Sequence, residues 1–187
     1  MEKDKEIKKE ESSKIVKFFK ELVPYVAIIV VVLFIKSYII CPVQVNGSSM
    51  DSTLKSGDIM ILNKLQYKRH GVERFDIVVI KSHGTKIIKR IIGLPGDSIE
   101  FIDNKLYING KNYKEPYLDK GTATYDFNLD ELLERNTVPE NSYFVLGDNR
   151  EESLDSRSIE VGFVHEDDIE GIAKLTIFPF NRIGNKN

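Results

Sequence analysis

Of its 187 residues, the chain offers three histidines, one cysteine, 13 serines and 20 lysines for bond-breaking chemistry, besides its carboxylates. His70, His83 and His165 are scattered, and none stands at metal-ligand spacing or beside a recognisable nucleophile. With Cys41 as the one cysteine, no zinc site and no intrachain disulfide is expected. A Ser-His-Asp triad is left open by geometry but has no support in the spacing. No glycine-rich loop of the phosphate-cradling kind occurs. The carboxylates between Glu151 and Glu170 are dense, and a solvated face accounts for them.

What remains is serine with lysine. An aliphatic hydroxyl is a weak nucleophile until a base takes its proton. A lysine amine can be that base if burial drags its pKa down so that it is neutral near pH 7. Lys89 stands in the run Lys86-Ile87-Ile88-Lys89-Arg90-Ile91-Ile92. On a strand, Ile87, Lys89 and Ile91 share one face, while Ile88, Arg90 and Ile92 share the other. A lysine flanked by isoleucines on its own face is open to desolvation, although composition alone favours a surface lysine on an edge strand. Spacing does not choose among the many serine–lysine pairs.

The elements that must position such a pair are mostly strands. Asp58–Leu62, Asp76–Ile80 and Lys86–Ile92 are short β-branched runs bounded by Gly, Pro or charge. Ile99–Ile102 and Lys105–Ile108 flank Asp103-Asn104, a two-residue hairpin signal, and Asn109-Gly110 marks a second turn. Ser142–Leu146 and Gly171–Phe178 are later strands, and Leu129–Arg135 predicts one or two helical turns. Many short strands with close turns predict a mostly-β fold. The formal net charge of −2, with both signs mixed along the chain, argues against a nucleic-acid partner.

Ahead of the strands lies an apolar run. Residues 1–21 hold seven lysines and six acidic residues, with an Ile15/Phe18/Phe19/Leu22 trace at helical spacing. From Leu22 to Ile35 no charge intervenes, Lys36 interrupts, and Tyr38-Ile39-Ile40 resume the run. As a helix, residues 22–40 reach roughly 28 Å, close to the hydrocarbon thickness of a bilayer. Lys36 can snorkel to the surface. The expected organisation is a cytoplasmic segment 1–21, a transmembrane anchor 22–40 and an extracytoplasmic domain 41–187. Orientation follows from the lysines before the span, because the twenty residues after it carry only Lys55. A cleaved leader is disfavoured, since no small-x-small site follows the run.

The choice of serine and lysine comes from a resemblance. Gly47-Ser48-Ser49-Met50-Asp51-Ser52-Thr53-Leu54, Arg74–Val79, Lys89-Arg90-Ile91-Ile92-Gly93-Leu94-Pro95-Gly96-Asp97 and Gly147-Asp148-Asn149-Arg150-Glu151-Glu152-Ser153-Leu154-Asp155-Ser156-Arg157 resemble, in this order, the signature segments of bacterial type I signal peptidases. The last two are long and specific, and the likeness extends from the apolar run to Gly184. It implies a signal-peptidase-like β-fold and a serine endopeptidase with a Ser/Lys dyad. Ser49 would be the nucleophile and Lys89 the general base. Ser153 would orient the lysine amine, and Asp155 with Arg157 would form a supporting ion pair. The Ser49 N–H would be one oxyanion donor. Some family members add a hydroxyl two residues before the nucleophile; that position here is Gly47, which leaves the second donor open. The family usually has proline where this chain has Ser52.

The resemblance further implies that secreted preproteins with signal peptides are the substrates, docking as an added strand beside Gln44–Asn46 and Lys86–Ile88. Val45, Leu54 and Ile87 are the expected pocket walls, membrane lipid is the expected surroundings, and no metal or cofactor is implied. Val43–Val45 and Ile177–Phe180 could touch lipid, with burial in the core the favoured reading. Two alternatives stand beside this one. A non-enzymatic membrane-anchored β-domain would bind partner proteins without using Ser49 or Lys89. A self-cleaving Ser-Lys repressor protease would carry a DNA-binding module where this chain has an apolar run.

Overall fold

The computed structural model describes residues 2–82 and 84–186, with side chains from Lys17 onward except that of Phe19. His83 and the Ile15 and Phe19 members of the apolar trace lie outside the described side chains. The chain divides into two compact units, one ending at Ile39 and the other beginning at Ile40.

The first unit is a single helix, α1 (Glu2–Tyr38). Its stretch Lys20–Tyr38, 19 residues, is long and apolar enough to cross a membrane. Val23, Ile29, Val32 and Phe34 are all exposed, so the helix presents apolar side chains that the rest of the chain does not cover. The helix stops two residues before the end of the expected span, and Ile40 opens a strand instead. Pro42 explains the stop: it has no N–H to donate and disfavours helical backbone at Cys41.

The second unit is built from antiparallel strands. In chain order they are β1 (Ile40–Gln44), β2 (Ile59–Asn63), β3 (Ile77–Ser82), β4 (Thr85–Gly93), β5 (Ile99–Ile102), β6 (Lys105–Ile108), β7 (Lys111–Tyr113), β8 (Phe127–Asn128), β9 (Ser142–Leu146), β10 (Val164–His165), β11 (Ile169–Phe178) and β12 (Gly184–Asn185). Two short helices interrupt them, α2 (Lys64–His70) and α3 (Leu129–Leu133). The larger sheet runs β1-β2-β11-β3-β4-β9-β10, with β12 on β11, and the smaller runs β7-β6-β5-β8. Asp103 and Asn104 both have positive φ, as do Asn109 and Gly110, so both expected hairpin turns take the form that matches strand twist.

The central strands are buried on both faces, which is why β3 reads as an unbroken apolar run. Ile77 and Val79 pack with Val45, Met50, Leu54, Met60, Leu62 and Ile88 on one side. Val78 and Ile80 pack with Ile91, Val145, Ile169 and Ile172 on the other. The smaller sheet has its own core around Phe101, Phe127 and Phe144. The sequence reading passed over α2, which follows directly on β2. Its signal was present as Asn63-x-x-Gln66, where the Asn63 side chain accepts the Gln66 N–H at 2.9 Å. A second correction concerns residues 177–180. Val45 is buried as expected, but Phe178 and Phe180 are 45% and 80% exposed and stack edge-on against each other.

Candidate active site

Ser49 lies on the loop between β1 and β2, and Gly47 starts that loop. With φ at 93°, Gly47 adopts backbone that side chains rarely tolerate, and it turns the chain out of β1. Hydrogen bonds from the Asp51 N–H to the Ser48 carbonyl and from the Leu54 N–H to the Met50 carbonyl, 3.0 and 2.7 Å, then coil residues 48–54 into a tight turn. Met50 and Leu54 anchor this turn in the core, at 1% and 0% exposure, which leaves Ser49 half-buried at the surface. Ser52, where proline is usual, donates from its hydroxyl to the Asp148 carbonyl at 3.4 Å, so a hydrogen bond ties the turn down in place of a ring.

Lys89 projects from the middle of β4 and is 2% exposed. Its ammonium donates to the Ser153 Oγ at 2.9 Å. Burial pushes its pKa from the ordinary 10.5 down to about 8. Asp155 pulls the value back up, Arg157 lowers it and Asp148 raises it, so the nearby ion pair partly cancels itself and desolvation prevails. Such an amine is a usable base near neutral pH.

Ser49 and Lys89 line one cleft of about 330 Å³. Asn46, Gly47 and Ser48 continue the wall beside Ser49, Ser82, Thr85 and Ile87 continue the one beside Lys89, and Glu152, Leu154, Glu160 and Val161 complete the lining. Of the three expected pocket residues, Ile87 reaches the cleft. Val45 and Leu54 are buried in the cluster with Ile88, the residue on the opposite face of β4 from Ile87.

The segment 147–157 holds the two halves together. The Asp155 carboxylate pairs with the Arg157 guanidinium at 2.8 Å and accepts the Gly147 N–H at 2.9 Å. Arg157 also donates to the carbonyls of Arg150 and Ser153, which fixes the loop bearing the Ser153 hydroxyl. Gly147 admits no side chain: an added Cβ would lie 2.1 Å from the Ser153 Oγ and 2.4 Å from the Ser49 carbonyl. The backbone there must pass that close for Ser49 and Ser153 to share a site.

Several supporting residues were missed in the sequence. Arg90, next to Lys89 but on the other face of β4, is fully buried. It makes two hydrogen bonds to Asp148, at 2.9 and 2.6 Å, bonds the Phe75 carbonyl and lies 3.9 Å from the centre of the Tyr117 ring. Thr53, on the same turn as Ser49, joins this group by donating to Asp148 at 2.5 Å. Arg150 pairs with Glu115 and donates to the Thr124 hydroxyl, tying the segment after β7 to the loop of Ser153. Asn149 donates from its backbone to the Ser49 carbonyl, 3.0 Å, and from its side chain to the Ser48 carbonyl, 3.2 Å. A cue existed for Arg90 alone: an arginine amid isoleucines on a central strand needs a buried carboxylate. The others are loop contacts with no periodic signature.

A hydroxyl and a pKa-lowered amine line one cleft of an antiparallel β-domain, the two groups that serine-type hydrolysis by a lysine base requires. Comparison with known proteins narrows the class. The family described as signal peptidase, peptidase S26, matches residues 16–178. A signal peptidase I from Bacillus caldolyticus is 39% identical over 167 residues, spanning 85% of this chain and 91% of its own. Signal peptidase I P from Bacillus subtilis subsp. natto is 37% identical over 188 residues, 98% of each chain. A crystal structure of a signal peptidase I from Enterococcus faecalis V583 shares 43% identity over 54% of this chain and 95% of its own, with a TM-score of 0.49. The chain belongs to the signal peptidase family, peptidase S26, and is a serine endopeptidase.

Proposed function

We propose that Ser49 and Lys89 are the nucleophile and general base with which this signal peptidase cuts N-terminal signal peptides from exported preproteins. The observation that carries the reading is Lys89: a buried amine with a pKa near 8, held by the Ser153 hydroxyl, in the cleft that Ser49 lines. The Ser49 Oγ attacks the scissile carbonyl as the Lys89 amine takes its proton. The Ser49 N–H donates to no group among the described residues and is free to bind the developing oxyanion. Collapse of the tetrahedral intermediate expels the amine of the mature chain, which receives the proton from Lys89. The leader is then held as an ester on Ser49. Lys89 next takes a proton from water, whose oxygen attacks the ester; on collapse the Ser49 oxygen takes that proton back from Lys89, and the leader leaves as a carboxylic acid that ionises in solvent.

The domain lies outside the membrane and the lysine-rich head in the cytoplasm, by the charge bias of the residues before the span. Enzyme and leader then share one bilayer, which raises the effective concentration of the cleavage site. Leu175, Phe178, Phe180 and Ile183, all exposed, support contact of the domain itself with lipid. The test is cleavage of a purified preprotein by the detergent-solubilised chain, its Ser49→Ala variant and its Lys89→Ala variant. Both folded variants are expected to be inactive; cleavage surviving in either overturns the dyad assignment.

A further inference from the structure

The loop that carries Ser49 is short of oxyanion donors. Gly47 has no hydroxyl, and the Ser48 hydroxyl donates instead to the Glu152 carboxylate at 3.2 Å. What this loop can still offer is the Ser49 backbone N–H, so its direction matters more than it would in a site with a second donor. A peptide group is planar, and the Ser48 carbonyl and the Ser49 N–H belong to the same plane and point opposite ways. Whatever fixes the Ser48 carbonyl therefore aims the Ser49 N–H.

Two donors fix that carbonyl. One is the Asp51 N–H, 3.0 Å away within the same turn. The other is the Asn149 side-chain amide, 3.2 Å away on the segment 147–157. Asn149 grips the next peptide as well, since its backbone N–H donates to the Ser49 carbonyl at 3.0 Å. Its amide also donates to Glu152 at 3.2 Å, joining the carboxylate that holds the Ser48 hydroxyl. The peptides on both sides of the nucleophile are thus pinned by one residue of the segment that also bears Ser153.

We infer that Asn149 is a positioning residue for the oxyanion hole: its side-chain amide, by holding the Ser48 carbonyl, aims the Ser49 N–H at the oxygen of the tetrahedral intermediate. The inference rests on Ser49 being the nucleophile. Asn149 touches no reacting atom itself. Its loss costs transition-state stabilisation and leaves substrate binding nearly untouched.

The experiment compares the full-length, detergent-solubilised chain with Asn149→Ala, Asn149→Asp and Ser49→Ala on a preprotein and on a matching peptide aldehyde. The aldehyde carbon takes the Ser49 oxygen and the hydroxyl proton passes to the aldehyde oxygen, giving a hemiacetal whose oxygen sits where the oxyanion forms. Losing one direct oxyanion donor costs about a hundred- to a thousandfold in kcat, so a lost aim is expected to cost roughly ten- to a hundredfold. Both Asn149 variants should show this fall in kcat with KM within about twofold, and the aldehyde should weaken by a matching factor. The Asn149→Asp change keeps the side chain's shape but removes the amide donor, so activity retained in that variant overturns the inference. So does a raised KM with kcat and aldehyde affinity unchanged, or a loss in Asn149→Ala explained by a lowered melting temperature that Asn149→Asp does not share. Activity in Ser49→Ala would instead sink the dyad assignment, which keeps the two failures apart.

Discussion

Titrating Lys89 is the most direct perturbation of the proposed mechanism, because its pKa is where the fold enters the rate. The fall from the ordinary 10.5 to about 8 corresponds to roughly 3 kcal/mol against the charged amine, supplied chiefly by burial. At pH 7 about one Lys89 in ten is then neutral and able to accept the Ser49 proton. Initial rates of preprotein cleavage at low substrate, measured as kcat/KM from pH 5.5 to 9.5, should rise about tenfold per pH unit below 7 and level off above about 8. The rate at the plateau should be about ten times that at pH 7. A limb centred near 6.5 would point to a histidine, and one near 10.5 to an exposed lysine; either refutes the argument from burial. Stability has its own sign. Between pH 8 and 10.5 the unfolded chain binds the Lys89 proton more than the folded one does, so this residue's contribution to stability rises with pH across that window.

Three other outcomes follow from the same contacts. Ser153→Ala removes the hydroxyl that holds the Lys89 amine, and kcat/KM in the preprotein assay should fall roughly ten- to a hundredfold while the melting temperature changes little. Arg90→Met leaves the Asp148 carboxylate buried without its guanidinium, and denaturant unfolding should show a loss of about 3–5 kcal/mol. The chain has no tryptophan, so Phe180→Trp gives a single reporter on the exposed aromatic edge. In vesicles its emission should shift to the blue and be quenched by brominated acyl chains, whereas unquenched, water-like emission would remove lipid contact at this edge.

The strands were legible because alternation and turn chemistry are local. Asp103-Asn104 and Asn109-Gly110 announce their hairpins by residue type alone, and positive φ at all four positions follows from it. The apolar run was legible by length, although its end was not, because Pro42 acts on the backbone before it. Phe178 and Phe180 were misread because an apolar tetrapeptide at the end of a strand reads the same in a core and at an exposed edge. The site was least legible. Ser49, Lys89 and Ser153 are far apart in the chain, and no period links them; resemblance singled them out, and the fold brings their loops and strand into one region.

The strand β4 shows why that region required the whole fold. Lys89 and Arg90 are adjacent, both basic and both buried, yet alternation sends them to opposite faces. On its face Arg90 meets a carboxylate in a two-point bond and an aromatic ring, so its charge is matched and it serves as a joint between the turn of Ser49, through Thr53, and the segment after β9, through Asp148. On the other face Lys89 meets a neutral hydroxyl, while the carboxylate that acts on it most strongly, Asp155, is already engaged by Arg157. Without Arg157, the pull of Asp155 toward the charged amine would be unopposed, and Lys89 would be a poorer candidate for the proposed base. The ion pair beside the lysine thus has an electrostatic role as well as a structural one: Arg157 occupies the carboxylate that would otherwise keep the amine protonated.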